Sequence, residues 1–248
     1  MAVSGTTAFS VNRDQIIQYA LRKCGVLELG VTPDATTVSN TALALDLMIK
    51  SWITKGIKLW TVNEITFALQ QNKPVYVFGS TGSAPNTPDI IVDKPMKLLQ
   101  AWIRNVSYTP SNDIPLQKLS QKDYNELGNK YSQGTPNSIY MDVGREQSTV
   151  KLFVNPDVYS QTNLQVHLVT QRQLMDAGSA SNTLDFPQEW LYAMGWNLAA
   201  EIATDYGVPE QRIAYIEAKA GKLLDEVEGF DQEYASVFFN PDMRSISR

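Results

Sequence analysis

Histidine and cysteine are almost missing from this chain of 248 residues: His167 and Cys24 each stand alone. A structural zinc site takes about four nitrogen and sulfur ligands, which two such residues do not supply. One cysteine also excludes an internal disulfide and fits a protein made in a reducing cytoplasm. The Asn105-Val106-Ser107 sequon accordingly carries no expectation of glycosylation. No apolar run approaches the ~20 residues that span a bilayer, so no membrane association is expected. The opening MAVSGTTAFSVNRD lacks a basic stretch followed by an apolar one, so no secretory signal is expected. G-x-S-x-G, P-loop, G-x-G-x-x-G and H-E-x-x-H patterns are all absent. Excess positive charge is absent too. The net charge of −5 and the pI near 5.0 argue against binding nucleic acid by neutralising phosphates.

What is present belongs to a globular protein, with 43% hydrophobic and 19% charged residues and length enough for one large domain or two modest ones. Asn12 with Gln15 forms a capping box that opens a first helix, Val11 can staple onto Ile16, and Gly25 stops it. Ile16, Ile17, Ala20, Leu21 and Cys24 share its apolar face. Val38, Ala42, Leu45, Ile49 and Trp52 mark a second seam that ends at Gly56. The period then changes from 3.6 to 2. Residues 65–69, 74–78, 99–103, 114–119, 139–142, 150–154 and 164–168 read as short strands, and Ser120 with Asp123 opens a short helix among them. Helical period resumes at Asp185, where Asp185 or Phe186 caps and Pro187 fits the first turn. Leu191, Met194, Leu198 and Ile202 form its stripe, flanked by Trp190 and Trp196 and closed by Gly207. Pro209 starts a fourth helix, buried through Ile213, Ile216, Ala220, Leu223 and Val227.

These patterns predict an α+β fold. Residues 10–56 and 185–230 would form an antiparallel bundle of four long helices from both chain ends, and 57–184 an inserted β-rich sandwich or barrel-like domain. Residues 231–248 (DQEYASVFFNPDMRSISR) have no period and form a C-terminal extension. There Tyr234, Phe238, Phe239, Pro241 and Met243 are candidate docking residues, with Arg244 and Arg248 available to pair with acidic groups of a partner. Two readings stay open: the aromatics meet a partner, or they fold back onto the chain's own bundle. Candidates for chemistry are few. His167 in its strand reads as a surface or packing residue, and Cys24 as a buried structural thiol. Asp225, Glu226 and Glu228 read as a solvated helix face. A calcium site or an acidic pair stays open, with Asp142 and Asp157 as turn-placed examples. No catalytic residue, metal ligand or cofactor is assigned.

Five segments, taken in order, resemble the head-to-tail adaptor family of short-tailed bacteriophages, which includes the tail tubular protein A and packaged-DNA stabilisation groups. They are ALRKCGVL at 20–27, WITKGIKLW at 52–60, IPLQKLSQKDYNELGNKYSQGTPNSIYMD at 114–142, LFVNPD at 152–157 and DFPQEWLYAMGWNLAAEIATDYGVP at 185–209. The resemblance spans about residue 10 to about residue 240 and rests on order and spacing, since no segment is a chemical signature. It implies a helical bundle carrying a β insertion and a structural, non-enzymatic role in the virion, at the head–tail junction. The implied subunit sits in a homo-oligomeric ring, usually dodecameric, that docks under the portal protein after packaging. That ring retains the genome and receives the tail nozzle or tail tube protein, while DNA passes through without specific binding. The smallest family members lack a large β insertion. Two other classes stay open: a virion-associated, glycan-degrading hydrolase with an acidic pair in the β region, and a binding protein unrelated to phages.

Overall fold

A computed structural model describes residues 5, 9–54, 56, 59–80 and 87–231. Among these, six helices and eleven strands occur. Two helices come first, α1 (Arg13–Cys24) and α2 (Ala35–Thr54), then a 3-10 turn at Leu59–Thr61. The strands follow as β1 (Val62–Ala68), β2 (Val75–Gly79), β3 (Ile90–Ile91), β4 (Pro95–Asn105), β5 (Asn112–Pro115) and β6 (Gln117–Lys118). Helix α3 (Gln121–Glu126) separates them from β7 (Gln133–Gly134), β8 (Ser138–Val143), β9 (Ser148–Phe153) and β10 (Asn155–Pro156). Helix α4 (Val158–Asn163), β11 (Leu164–Arg172), α5 (Gln188–Ala203) and α6 (Glu210–Phe230) complete the chain.

The predicted bundle of four long antiparallel helices with an insert is not the architecture. The chain is mixed α/β, about 39% helix and 27% strand, with three sheets. Its helices are unequal, α1 having 12 residues and α5 having 16 against 20 and 21 for α2 and α6. The physical reason lies in α5. It buries Trp190, Leu191, Ala193, Met194, Gly195, Trp196, Leu198 and Ala199 within three turns, so it is apolar nearly all round. A helix of that kind takes the centre, and α1, α2 and α6 each pack against it. Directions are mixed as well. Tyr19 meets Tyr192, and Cys24 donates to the Ala199 carbonyl, so α1 runs parallel to α5. Thr41 meets Tyr206 while Trp52 meets Trp190, so α2 runs antiparallel to it. Gly195 lets α1 come close, for a Cβ built there would stand 2.5 Å from Tyr19 Cδ1.

The strands form a four-stranded sheet ordered β1-β11-β4-β5, a five-stranded sheet ordered β3-β2-β9-β8-β6, and the small parallel pair β10-β7. Alternation along β1 turns Ile65 and Phe67 inward, and β11 adds Val166 and Leu168. Phe78, Ile139, Val150 and Leu152 from the larger sheet join the same apolar cluster. The two sheets therefore share one core, distinct from the helical one.

Where the chain returns from β11 to α5, the helices and strands are tied together. Asp185, expected as a helix cap, instead faces Arg172 in a two-pronged pair at 2.5 and 2.8 Å and accepts the Met175 N–H. Helix α5 begins after Pro187 without a side-chain cap. Beside it Trp52, Trp60, Phe186 and Trp190 pack ring on ring, with Trp60 and Trp190 centroids 4.9 Å apart. The Trp60 Nε1–H donates to the Asp185 carbonyl. Burial pushes the Asp185 carboxyl up, but Arg172 and the Met175 N–H outweigh it and leave it below the usual carboxylate range. A carboxyl lowered on folding stabilises above its ordinary titration range and loses that contribution as pH falls through its folded value. Asp185→Asn is therefore expected to lose about 2–3 kcal/mol near neutral pH. In urea titrations, that gap should close once the wild-type carboxyl is protonated.

Candidate functional site

The docking residues proposed from sequence, Tyr234, Phe238, Phe239, Pro241, Met243, Arg244 and Arg248, lie outside the described residues. Attention therefore falls on surfaces able to receive a partner. Two lie on the helical cluster. Between α1 and α5 a groove of about 250 Å³ is lined by Phe9, Val11, Ile16, Tyr19, Leu191 and Tyr192, with Gln15, Arg22 and Gln188 at its rim. Phe9 is 63% exposed and Tyr192 50%. The first turns of the parallel helices α1 and α5 both contribute to it, through Gln15 and Ile16 on one side and Gln188 and Leu191 on the other. Between α2 and the end of α5 a wider, more polar cleft of about 680 Å³ is bordered by Leu43, Leu47, Ile202 and Tyr206, with Asp34 and Glu201 nearby. Leu43 and Leu47, one turn apart, are 62% and 61% exposed. Uncovered apolar surface of this kind marks interaction sites.

The residues considered for chemistry are held by the fold. His167 stands opposite Thr66 in β1 and opposite Trp102 in β4. Its ring stacks on Trp102 at 5.3 Å and is only 5% exposed. Nδ1 lies 2.5 Å from Glu64 Oε1 and 3.1 Å from Thr66 Oγ1, while Nε2 is buried without a hydrogen-bond partner. A general base must come within about 3 Å of the proton it takes, and this Nε2 has no open approach. Asp157 caps α4 by accepting the Ser160 N–H, and Ser160 holds its carboxyl below the usual range. Asp142 lies 3.7 Å from Lys151. Among the described residues no cluster of three or more His, Cys, Asp or Glu is placed to hold a metal ion. No described helix is long and apolar enough to cross a membrane.

Sequence reasoning missed the groove. Tyr19 and Tyr192 sit at the margins of their apolar stripes, and only the parallel pairing of α1 with α5 brings them together, with ring centroids 6.4 Å apart. A signal was available in the all-round apolarity of 190–203, which marks a central helix. No protein-family model matches the chain, and no curated protein matches it.

Cys24 gives a direct check of the packing. Burial pushes its thiol up to about 11, although Arg212 acts in the opposite sense. The native thiol should stay inert to a disulfide reagent near pH 8 and react at once in guanidinium. Cys24→Ser is expected to cost only about 1 kcal/mol by thermal or urea unfolding, because a serine hydroxyl can also donate to the Ala199 carbonyl.

Proposed function

We propose that this chain is a structural assembly protein, the subunit of a head-to-tail adaptor ring that joins a portal to a tail nozzle in a short-tailed phage. The observation that carries the reading is the pair of separate uncovered surfaces on one helical cluster, the α1/α5 groove and the Leu43–Leu47 stripe. A closed ring is built from head-to-tail contacts, which require two different patches on each subunit. The resembling segments supply the joints of this cluster. WITKGIKLW gives Trp52 and Trp60, DFPQEW gives Phe186 and Trp190, and ALRKCGVL places Leu21 and Cys24 in the helical core. Net charge of −5 suits a channel through which DNA must slide rather than bind. In this reading Phe238, Phe239 and Met243 anchor the extension on the portal or on a neighbour, and Arg244 and Arg248 add specificity.

Negative-stain images of the purified chain with and without portal rings from the same genome test the proposal directly. Closed rings of the chain capping the portal are expected. Phe238→Ala/Phe239→Ala should stay folded by circular dichroism and lose at least about ten-fold in portal affinity, the loss of two buried aromatic anchors. A chain that neither forms rings nor joins the portal would sink the adaptor reading. Unchanged affinity of the double variant would move the docking interface onto the helices.

A further inference from the structure

Helix α5 ends against its own electrostatics. Glu201 lies in its last turn and Asp205 just beyond, both exposed at the negative end of the helix dipole, and that turn holds no basic residue. Neither carboxylate has an ion-pair partner among the described residues. Both line the cleft beside α2, where Asp34 is the third carboxylate and no lysine or arginine takes part. Lys50, further along α2, is held by Asp176. Asp34 already accepts the Thr36 and Thr37 N–H groups, which leaves Glu201 and Asp205 to be met from outside. The α1/α5 groove carries the opposite sign. Arg22 is the charged residue that lines it, and its Nε donates to the Gln18 carbonyl, with no carboxylate partner among the described residues. Lys23 adds a second cation, over the Tyr19 ring. Arg13 is paired with Asp14, and Glu189 in the first turn of α5 offsets one charge, so the groove side stays net positive.

We propose that the α1/α5 groove is the socket for the α2 face of a second copy of this chain. Leu43 and Leu47 of one copy enter the groove of the next, while Glu201 and Asp205 meet Arg22 and Lys23. The inference rests on the ring reading and names the two faces that join. Leu43 and Leu47 stand one turn apart and well exposed, the spacing with which a helix anchors in an apolar groove. Volume agrees. An apolar cavity of about 150 Å³ takes up the six carbons of benzene, so the eight carbons of two leucine side chains need about 200 Å³. The groove offers about 250 Å³ between the rings of Tyr19 and Tyr192. One subunit can use both faces together, because the groove lies at the first turns of α5 and the acidic cleft at its last. From Tyr192 to Glu201 the helix rises about 14 Å. Contact between unlike faces is heterologous and passes from subunit to subunit around a ring.

Disulfide trapping between differently tagged copies of the full chain tests this, with cysteines at exposed rim positions so that every docking residue is kept. Asn40→Cys protein is mixed with Gln188→Cys protein under mild oxidation at high concentration. The 40–188 link is expected to outweigh the 40–40 and 188–188 links, which a pairing of like faces would give. Charge reversal gives a second readout. Glu201→Lys/Asp205→Lys removes two carboxylates from the negative end of α5, so Tm should rise. Association in sedimentation velocity should nevertheless weaken at least about ten-fold, because like charges then face each other. Arg22→Glu/Lys23→Glu should weaken association in the same way, and mixing the two reversed proteins should restore it. Predominant 40–40 or 188–188 links, or no link, would overturn the proposal, as would reversed proteins that associate like the wild type. The adaptor reading fails separately. A 40–188 link without portal binding keeps this interface and loses the adaptor role, whereas portal capping without that link does the reverse.

Discussion

The packing of Trp52, Trp60, Phe186 and Trp190 is the contact on which the rest of the structure depends. It joins the end of α2 and the turn into β1, neighbours in the chain, to the first turn of α5, which begins only at Gln188. Large rings bury roughly 150–250 Å² each, and losing one from a core costs about 3–5 kcal/mol. The Arg172–Asp185 pair stands beside it and fixes where β11 gives way to the final helices. Further ties converge nearby: Lys50 donates to the Leu174 carbonyl, and Asp46 accepts the Ala177 N–H. Leu174, Ala177 and Leu184 sink into the helical core, so the returning segment is anchored along much of its length. The sheets are thereby held against the helices by both side-chain packing and directed hydrogen bonds.

Features set by neighbours in sequence were legible; those set by distant partners were not. The capping box of Asn12 and Gln15, and Gly25 in the left-handed region at φ 78°, follow from local chemistry and appear as read. Alternation at Ile65 and Phe67 likewise marks the inward face of β1. The two-residue strands β7 and β10 carry no period and depend on each other for pairing. Pro187 fits a first helical turn and so marks Asp185 or Phe186 as a candidate cap, yet Arg172 offers Asp185 a charged partner that a helix N-terminus does not match. The bundle expectation failed at α5, where one stripe was assigned to a helix buried on nearly every side. His167 shows the same limit. Its burial comes from Trp102 across the β4–β11 register, which nothing within five residues of His167 announces.

The polar side chains with the most defined partners, such as Asp157 at the start of α4 and Arg104 paired with Asp113, serve local geometry. Uncovered apolar residues occur on both parts of the molecule, Leu43, Leu47 and Tyr192 on the helices and Ile91, Tyr108 and Tyr131 in the β-rich region, while the two sheets bury a shared core between them.

Because α5 is the hub and lies late in the chain, synthesis order matters. About 130 residues separate the end of α2 from the start of α5. At roughly 5–20 residues per second, a ribosome needs on the order of ten seconds to produce them. For that interval α1 and α2 have left the exit tunnel with Ile17, Leu21, Leu45 and Ile49 bare, since the surface that buries them does not yet exist. The strands between can meanwhile close on their own core. Nascent chains of this protein should thus be greasiest at their front end, the place where a holding chaperone has most to grip.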